Sequence, residues 1–250
     1  MATKKLCLRM DDIGASTKRF EVYSKRLPPF GNFLWIKYLP GFRAWGPYRE
    51  MTALEWRQIF EVLEKYSAKV TVAVTAAWVE RNGDLIPFPE KFPEEAECLK
   101  QGQSRGLIEI ANHGLTHCVL KDRQFLPQWF GSNRKFHREF WDWIPDDDHF
   151  SHLRRSQEIL QEYFGEGITS FVPPGNVFSQ TTLEACVSSG IRLINCNNAD
   201  KMVDSRLRIV GNDRVLAFHD REIVLFGVDW LRRTLDKISA GTEFIFTRDL

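Results

Sequence analysis

Apolar runs of strand length alternate with amphipathic helical patterns along this chain, and that alternation restricts the fold more than any other feature. Leu6 to Met10 reads as a first strand, Lys69 to Thr75 (KVTVAVT) as a second, rich in β-branched residues, and Leu107 to Ala111 as a third. Thr169 to Val172, Ile191 to Asn195 and Val215 to Phe218 are further strand candidates, and Glu243 to Thr247 closes the chain. Between them, Thr52 and Glu55 stand at capping-box spacing before a helix running to about Tyr66. Similar helical patterns cover Ser151 to Phe164, Thr181 to Ser189 and Val228 to Ser239. Such alternation implies parallel strands with helical crossovers, a fold in which chemistry gathers at the C-terminal ends of the strands.

The 250 residues hold no linker-like stretch, low-complexity tract or fixed-period repeat, so one domain over residues 1–250 is expected. A net charge of +1 with Lys and Arg spread along the chain argues against a nucleic-acid binder. No apolar run has the length of a transmembrane span, and Met-Ala-Thr-Lys-Lys leads into Leu6-Cys7-Leu8 without a secretory h-region, so a cytoplasmic location is expected. Five cysteines (Cys7, Cys98, Cys118, Cys186, Cys196), with no CxxC pair, read as buried free thiols. Two aromatic-rich insertions, at about 28–50 and 122–147, interrupt the pattern. Long excursions of this kind stack sugar rings, close over a site, or pad an open face or subunit contact. Lys37, Arg43 and Arg49 in the first suit a diphosphate, while Phe33, Leu34, Trp35 and Trp45 suit a membrane interface.

Asp11 and Asp12 follow the first strand, and adjacent carboxylates there are costly unless a cation is shared or their roles differ. Asp pairs are also common in solvated turns. His113 and His117, in IEIANHGLTH, follow the third strand, and a four-residue spacing across a helical turn brings both imidazoles within reach of one ion. Two unrelated histidines would look the same, but both pairs fall at strand C-termini, where a parallel fold brings them together. Two imidazoles and one carboxylate with open positions make a catalytic rather than structural site, zinc first, with cobalt, nickel or iron(II) also tolerated. His219 closes the strand at Phe218, and Asp220 beside it is able to hold its tautomer; a lone histidine there is as readily structural. In Phe171-Val172-Pro173-Pro174-Gly175-Asn176 the prolines fix the backbone, leaving the Gly175 and Asn176 amides to face a ligand or to form an ordinary turn.

The order RMDDIG, IEIANHGLTH, FVPPGN and LAFHD resembles the polysaccharide deacetylases (NodB-homology, carbohydrate esterase family four), whose motifs run TFDDG, HSxxH in a context like HEIGNHTYTH, FRPPYG and LxHD. KVTVAVT, TTLEACVSSGIRLI and GTEFIFTRDL resemble that family's framework, so the likeness covers most of the chain outside the insertions. Within the family the chain looks most like cytoplasmic members serving surface-polysaccharide (O-antigen) biosynthesis. The resemblance implies a distorted, incomplete (β/α) barrel in the α/β class. It also implies that Asp11 is the base, that Asp12, His113 and His117 hold one divalent metal, and that His219 is the acid. Pro174, Gly175 and Asn176 would flank the substrate and its oxyanion. The implied activity is removal of acetyl from an acetamido sugar, free, nucleotide-linked or lipid-linked. A metal-dependent amidase or deformylase and a non-catalytic sugar-binding barrel are the alternatives.

Four departures matter. Ile13 is inserted between the acids and Gly14, Gly114 replaces the Ser/Thr of the second motif, and Val172 replaces the arginine that pairs with the base. Asp229-Trp230 has the composition of the family's Trp/Asp motif but follows His219, the wrong order. Residues two apart on a strand share a face, so Arg9 is expected beside Asp11, either supplying the missing charge or pairing elsewhere in the barrel. His137, His149 and His152 read as solvated, and Asp146, Asp147 and Asp148 as favouring the start of the helix that follows.

Overall fold

The computed structural model, which describes residues 4–25, 36–119, 138–165, 167–197, 205–238 and 240–250, turns the apolar runs into one parallel sheet. In chain order the elements begin with β1 (Lys5–Ile13), β2 (Tyr23–Ser24), β3 (Arg43–Trp45), α1 (Ala53–Lys65), β4 (Val70–Val74), β5 (Ala77–Val79) and β6 (Leu85–Pro87). Next come α2 (Phe88–Lys91), α3 (Pro93–Ser104), β7 (Ile108–Asn112), α4 (Asp146–Phe164), β8 (Ser170–Phe171), α5 (Gln180–Ser188) and β9 (Leu193–Asn195). Last are β10 (Arg208–Val210), β11 (Val215–His219), α6 (Asp220–Phe226), α7 (Asp229–Leu235) and β12 (Glu243–Ile245). The sheet order is β10-β9-β8-β7-β4-β1-β11, with β12 pairing the start of β1, and it curls into the incomplete barrel that the resemblance implied.

Strand alternation divides the sheet into two unlike faces. Leu8 and Met10, Val70, Val72 and Val74, and Ile108 and Ile110 pack outward in the main core. Against them α1 lays Trp56, Ile59, Phe60 and Leu63, the i, i+3, i+4, i+7 stripe of an amphipathic helix. Each such fully buried side chain contributes about 1.5–3 kcal/mol. The capping box at its start forms as expected: Glu55 N–H donates to Thr52 Oγ1 at 3.3 Å and Thr52 N–H to Glu55 Oε2 at 2.8 Å. The inner face is polar or small. Glu109 accepts from Thr71 Oγ1 (2.7 Å) and Ser170 Oγ (2.8 Å) at the floor, while Ala73, Ala111 and Val172 leave room above it.

Two short antiparallel hairpins, β2–β3 and β5–β6, and helices α2, α3 and α6 were not legible from periodicity. Trp45 on β3 stacks on Tyr23 of β2 with ring centroids 4.5 Å apart. Of the expected diphosphate cations, Arg49 is engaged by Glu55 (2.7 and 2.8 Å), and Lys37 is buried over the Tyr38 ring. Phe33, Leu34, Trp35, Trp129, Phe130, Phe136 and His137 lie outside the described residues.

Two histidines correct the expectation of solvated side chains. His149, Leu153, Gln157 and Leu160 form one buried stripe of α4, and His149 Nδ1 stands 2.9 Å from Thr182 Oγ1. His152 Nδ1 lies 2.7 Å from Glu139 Oε1. Charged neighbours in sequence suggested water, but the helical period turns both residues inward. Asp146, Asp147 and Asp148 do occupy the first turn of α4, where the helix dipole favours them. The five cysteines are free and buried. Among the described residues, no helix is long and apolar enough to cross a membrane.

Candidate metal centre

A break in strand regularity brings both aspartates to one side. The register between β1 and β4 shifts between Met10 and Ile13, and Asp12 adopts a φ of 73°. This bulge accommodates the extra Ile13, which packs in the outer core with Leu8 and Met10, while Asp12 turns toward the histidines. A left-handed aspartate costs about 1–3 kcal/mol, the kind of strain that gathers at functional sites.

His113 follows β7, its amide bonded to Val74 O (2.9 Å). The segment to His117 is not the expected helical turn: it is a loop with Gly114 at φ 81° and His117 at φ 59°. The loop still delivers both imidazoles. Asp12 Oδ1 lies 3.3 Å from His113 Nε2 and 3.0 Å from His117 Nε2, and all three residues are buried. Ligand atoms each about 2.1 Å from one ion stand roughly 3.0–3.5 Å apart, so this donor set fits a divalent cation. His113 Nδ1–H donates to the carbonyl of Val172 (2.6 Å), which turns Nε2 toward the site. His117 Nδ1 has Thr17 Oγ1 at 3.4 Å. Burial pushes the Asp12 carboxyl up, but the charges of His219 and His117 and the hydrogen bonds from His113 and His117 outweigh it and hold it well below its ordinary range. A buried acid kept ionised suits a cation.

Asp11 is in register with His219 on the adjacent β11. Arg9, two residues earlier on the same face, holds Asp11 with a bidentate pair, Nε to Oδ1 at 2.8 Å and the terminal nitrogen to Oδ2 at 2.8 Å. Its other nitrogen donates to Asn195 Oδ1 and to Asn212 Oδ1 (3.2 Å), so the guanidinium spans the barrel interior from β1 to β9. These two asparagines were missed by sequence reasoning; the one signal was Asn195 at the end of an apolar run.

His219 ends β11 with its side chain 40% exposed and Nε2 3.8 Å from Asp12 Oδ2. Burial lowers it, but Asp12 and Asp11 outweigh that and raise it above its ordinary value. Arg221 stands 3.5 Å from His219 Nδ1 and packs 4.2 Å over the Trp45 ring, joining the first insertion to this edge of the site. Asp220 does not orient His219 as expected. Its carboxylate turns into the interior, where it pairs with Lys18 and accepts from Tyr48 Oη at 3.1 Å. Lys18 is fully buried and also reaches Glu50 Oε2 at 2.5 Å, while Gly14 N–H donates to that same oxygen at 2.9 Å. This buried triad ties the loop after Asp12 to the strand end that carries His219. Nothing in the sequence marked Lys18 or Glu50.

In the third motif, Gly175 (φ 66°) and Asn176 (φ 55°) are both left-handed after Pro174. The Asn176 amide bonds back to Pro173 O at 3.0 Å rather than facing a ligand. Asn176 Oδ1 accepts from Asn197 N–H at 3.3 Å. Asp229 pairs with Arg232 on the exposed surface of α7, outside this constellation. A further residue absent from the sequence reading, Glu139, accepts from the amides of the His113–His117 loop.

A parallel half-barrel with an Asp-His-His set at its strand ends defines a class, and the sequence itself agrees. The chain belongs to the polysaccharide deacetylase family, whose sequence model matches residues 51–194. That stretch holds His113, His117, Val172 and Pro174, while the two aspartates and His219 flank it. In structure the chain is similar to a CE4-family pseudoenzyme from Bacillus anthracis, at 12% identity and a TM-score of 0.52, over 100% of this chain and 66% of the other. It is likewise similar to a peptidoglycan N-acetylglucosamine deacetylase, at 14% identity and a TM-score of 0.52, over 98% and 86% of the two chains. A 4-alpha-glucanotransferase from Thermococcus litoralis shares the fold at 12% identity and a TM-score of 0.53, over 100% of this chain and 40% of the other. No curated protein shows significant sequence similarity to the chain. The fold thus carries an active deacetylase, an inactive relative and a different chemistry, so function has to be argued from the residues of the site.

Proposed function

We propose that the protein is a metal-dependent N-deacetylase of an acetamido sugar, with zinc the first-choice ion and cobalt, nickel or iron as alternatives. Asp12, His113 and His117 would hold the ion, which supplies a polarised water and a counter-charge for oxyanion formation. The observation that carries the reading is one donor set, 3.0 and 3.3 Å between ligand atoms, flanked by an arginine-held Asp11 and by His219.

Asp11 takes the proton of the attacking water as its oxygen bonds to the acetamide carbonyl carbon. The bidentate contact from Arg9 fixes the carboxylate's orientation, in place of the arginine lost at Val172. The Gly175 amide, beside the rigid Pro174, is the donor assigned to the developing oxyanion; Asn176 shapes that turn through its contact with Asn197. His219 protonates the departing nitrogen as the C–N bond breaks, releasing acetate and an amino sugar. Its half-exposed edge beside Trp45 and Arg221 is where a sugar ring would enter.

A precursor or intermediate of surface polysaccharide (O-antigen) biosynthesis, nucleotide- or lipid-linked and handled in the cytoplasm, is the substrate class favoured by the sequence resemblance. The competing reading, a non-catalytic sugar-binding barrel, draws on Val172; the Arg9–Asp11 pair counts against it, since a binder has no use for an oriented base. Acetate release from a panel of free, nucleotide-linked, lipid-linked and polymeric acetamido sugars decides between them. The expected result is chelator-sensitive release from at least one class. Metal-loaded protein that binds an acetamido sugar and releases no acetate would overturn the proposal.

A further inference from the structure

Gly114 stands where the family carries Ser or Thr, and a carboxylate occupies the space beside it. A Cβ built on Gly114 would lie 2.3 Å from Glu139 Oε2 and 3.0 Å from the Phe140 ring. Glu139 is itself buried, 2% exposed. Three consecutive loop amides converge on it: Leu115 N–H at 3.0 Å, Thr116 N–H at 3.3 Å to each oxygen, and His117 N–H at 2.9 Å. His152 Nδ1 completes the set at 2.7 Å. A non-glycine residue in the left-handed region persists only when its surroundings over-determine it, and His117, at φ 59°, is such a residue. The carboxylate of Glu139 is the group that gathers this turn. On the opposite side, Asn112 Oδ1 accepts from Gly114 N–H at 2.8 Å, so the loop is gripped at both ends.

We propose that Glu139 is a positioning residue that sets metal affinity by holding His117 in ligand geometry. This rests on the metal reading of Asp12, His113 and His117. Glu139 takes over the loop-orienting role that a hydroxyl at position 114 would otherwise play. Gly114 is the complementary half of the exchange, because a side chain there and the Glu139 carboxylate exclude one another.

The test is zinc alone, titrated in competition with a chelator into metal-stripped full-length protein. Wild type is compared with Glu139→Gln, Glu139→Ala and a core control, Leu160→Ala. Leu160 is fully buried in the helix-facing core, apart from the loop, and truncating it costs only stability. Affinity should fall about 10–100-fold in Glu139→Ala and less in Glu139→Gln, which keeps one oxygen acceptor. Leu160→Ala should unfold at lower temperature with zinc affinity unchanged. Amide-exchange protection at Leu115 to His117 should fall in both Glu139 variants and hold in the control. If Glu139→Ala does not fold, Glu139→Gln decides. Folded Glu139→Gln that binds zinc as tightly as wild type overturns this inference alone, as does an equal loss of affinity in Leu160→Ala. Wild type that binds no zinc overturns the metal reading, and the inference with it.

Discussion

Replacing Arg9 by Met removes the cationic partner of Asp11 and does so inside the barrel, where water cannot take over. Arg9 is 1% exposed, and its two bonds to Asp11 are both 2.8 Å. Without that fork the carboxylate loses its fixed aim at the attacking water, and a misplaced catalytic group costs about 10²-fold, so kcat/KM should fall by about that much. The same change orphans Asn195 Oδ1 and leaves a buried carboxylate unpaired, which costs about 3–5 kcal/mol. For a chain of this size that lowers Tm by roughly 6–20 °C. Arg9→Lys keeps the charge and loses the fork, so it should recover only part of the lost rate. The assay is the kcat/KM of acetate release at saturating zinc, with Tm measured in parallel. A folded, metal-binding Arg9→Met that keeps the wild-type kcat/KM would refute the reasoning: Arg9 would then be a structural strut and nothing more.

The remaining expectations follow from the same geometry. Asp12 and Asp11 outweigh burial and raise His219 above its ordinary 6.5, so its protonated form persists to higher pH and the basic limb of kcat/KM should lie above 6.5. His219→Gln should abolish that limb and lower kcat about 10²–10⁴-fold with zinc content unchanged. Lys18→Met strands Glu50 and Asp220 in the interior and should cost about 3–5 kcal/mol in urea unfolding. Burial lifts Asp220 up to about 8 against the pull of Lys18, so the stability its proton confers is fully present below pH 3.8 and lost as pH rises through 8. Lys18→Met removes the charge that pulls Asp220 down, so the decline should extend to higher pH. Chelation should lower Tm by roughly 5–11 °C, the equivalent of about 2.7 kcal/mol from an ion present at a hundred times its Kd, and Asp12→Ala should show no such change.

The strands were readable because β-branched residues alternate along them, as in KVTVAVT, where Val70, Val72 and Val74 face the helices and Thr71 and Ala73 the barrel interior, and the α1 start was readable from Thr52 and Glu55. The site residues were readable as ordered motifs, and strand alternation alone placed Arg9 beside Asp11. What escaped had no periodic signal. The two hairpins are too short to alternate, and the turn at His113 to His117 depends on Gly114 and on a carboxylate from a distant segment. Asp220 was read as the partner of His219 because it is adjacent in sequence, but the residue after a strand end points away from its neighbour, here into the Lys18 pocket. Long-range polar pairs such as Lys18–Glu50 and Arg9–Asn195 are set by packing, and single-sequence patterns carry no record of them.

Metal content and acetate release measured on the same preparations are the most direct test of a metal-dependent deacetylase. Wild type should hold one divalent ion per chain, lose acetate release on stripping and regain it with zinc, while Asp12→Ala should lack both ion and activity. Acetate release that survives stripping, or that persists in Asp12→Ala, would contradict it.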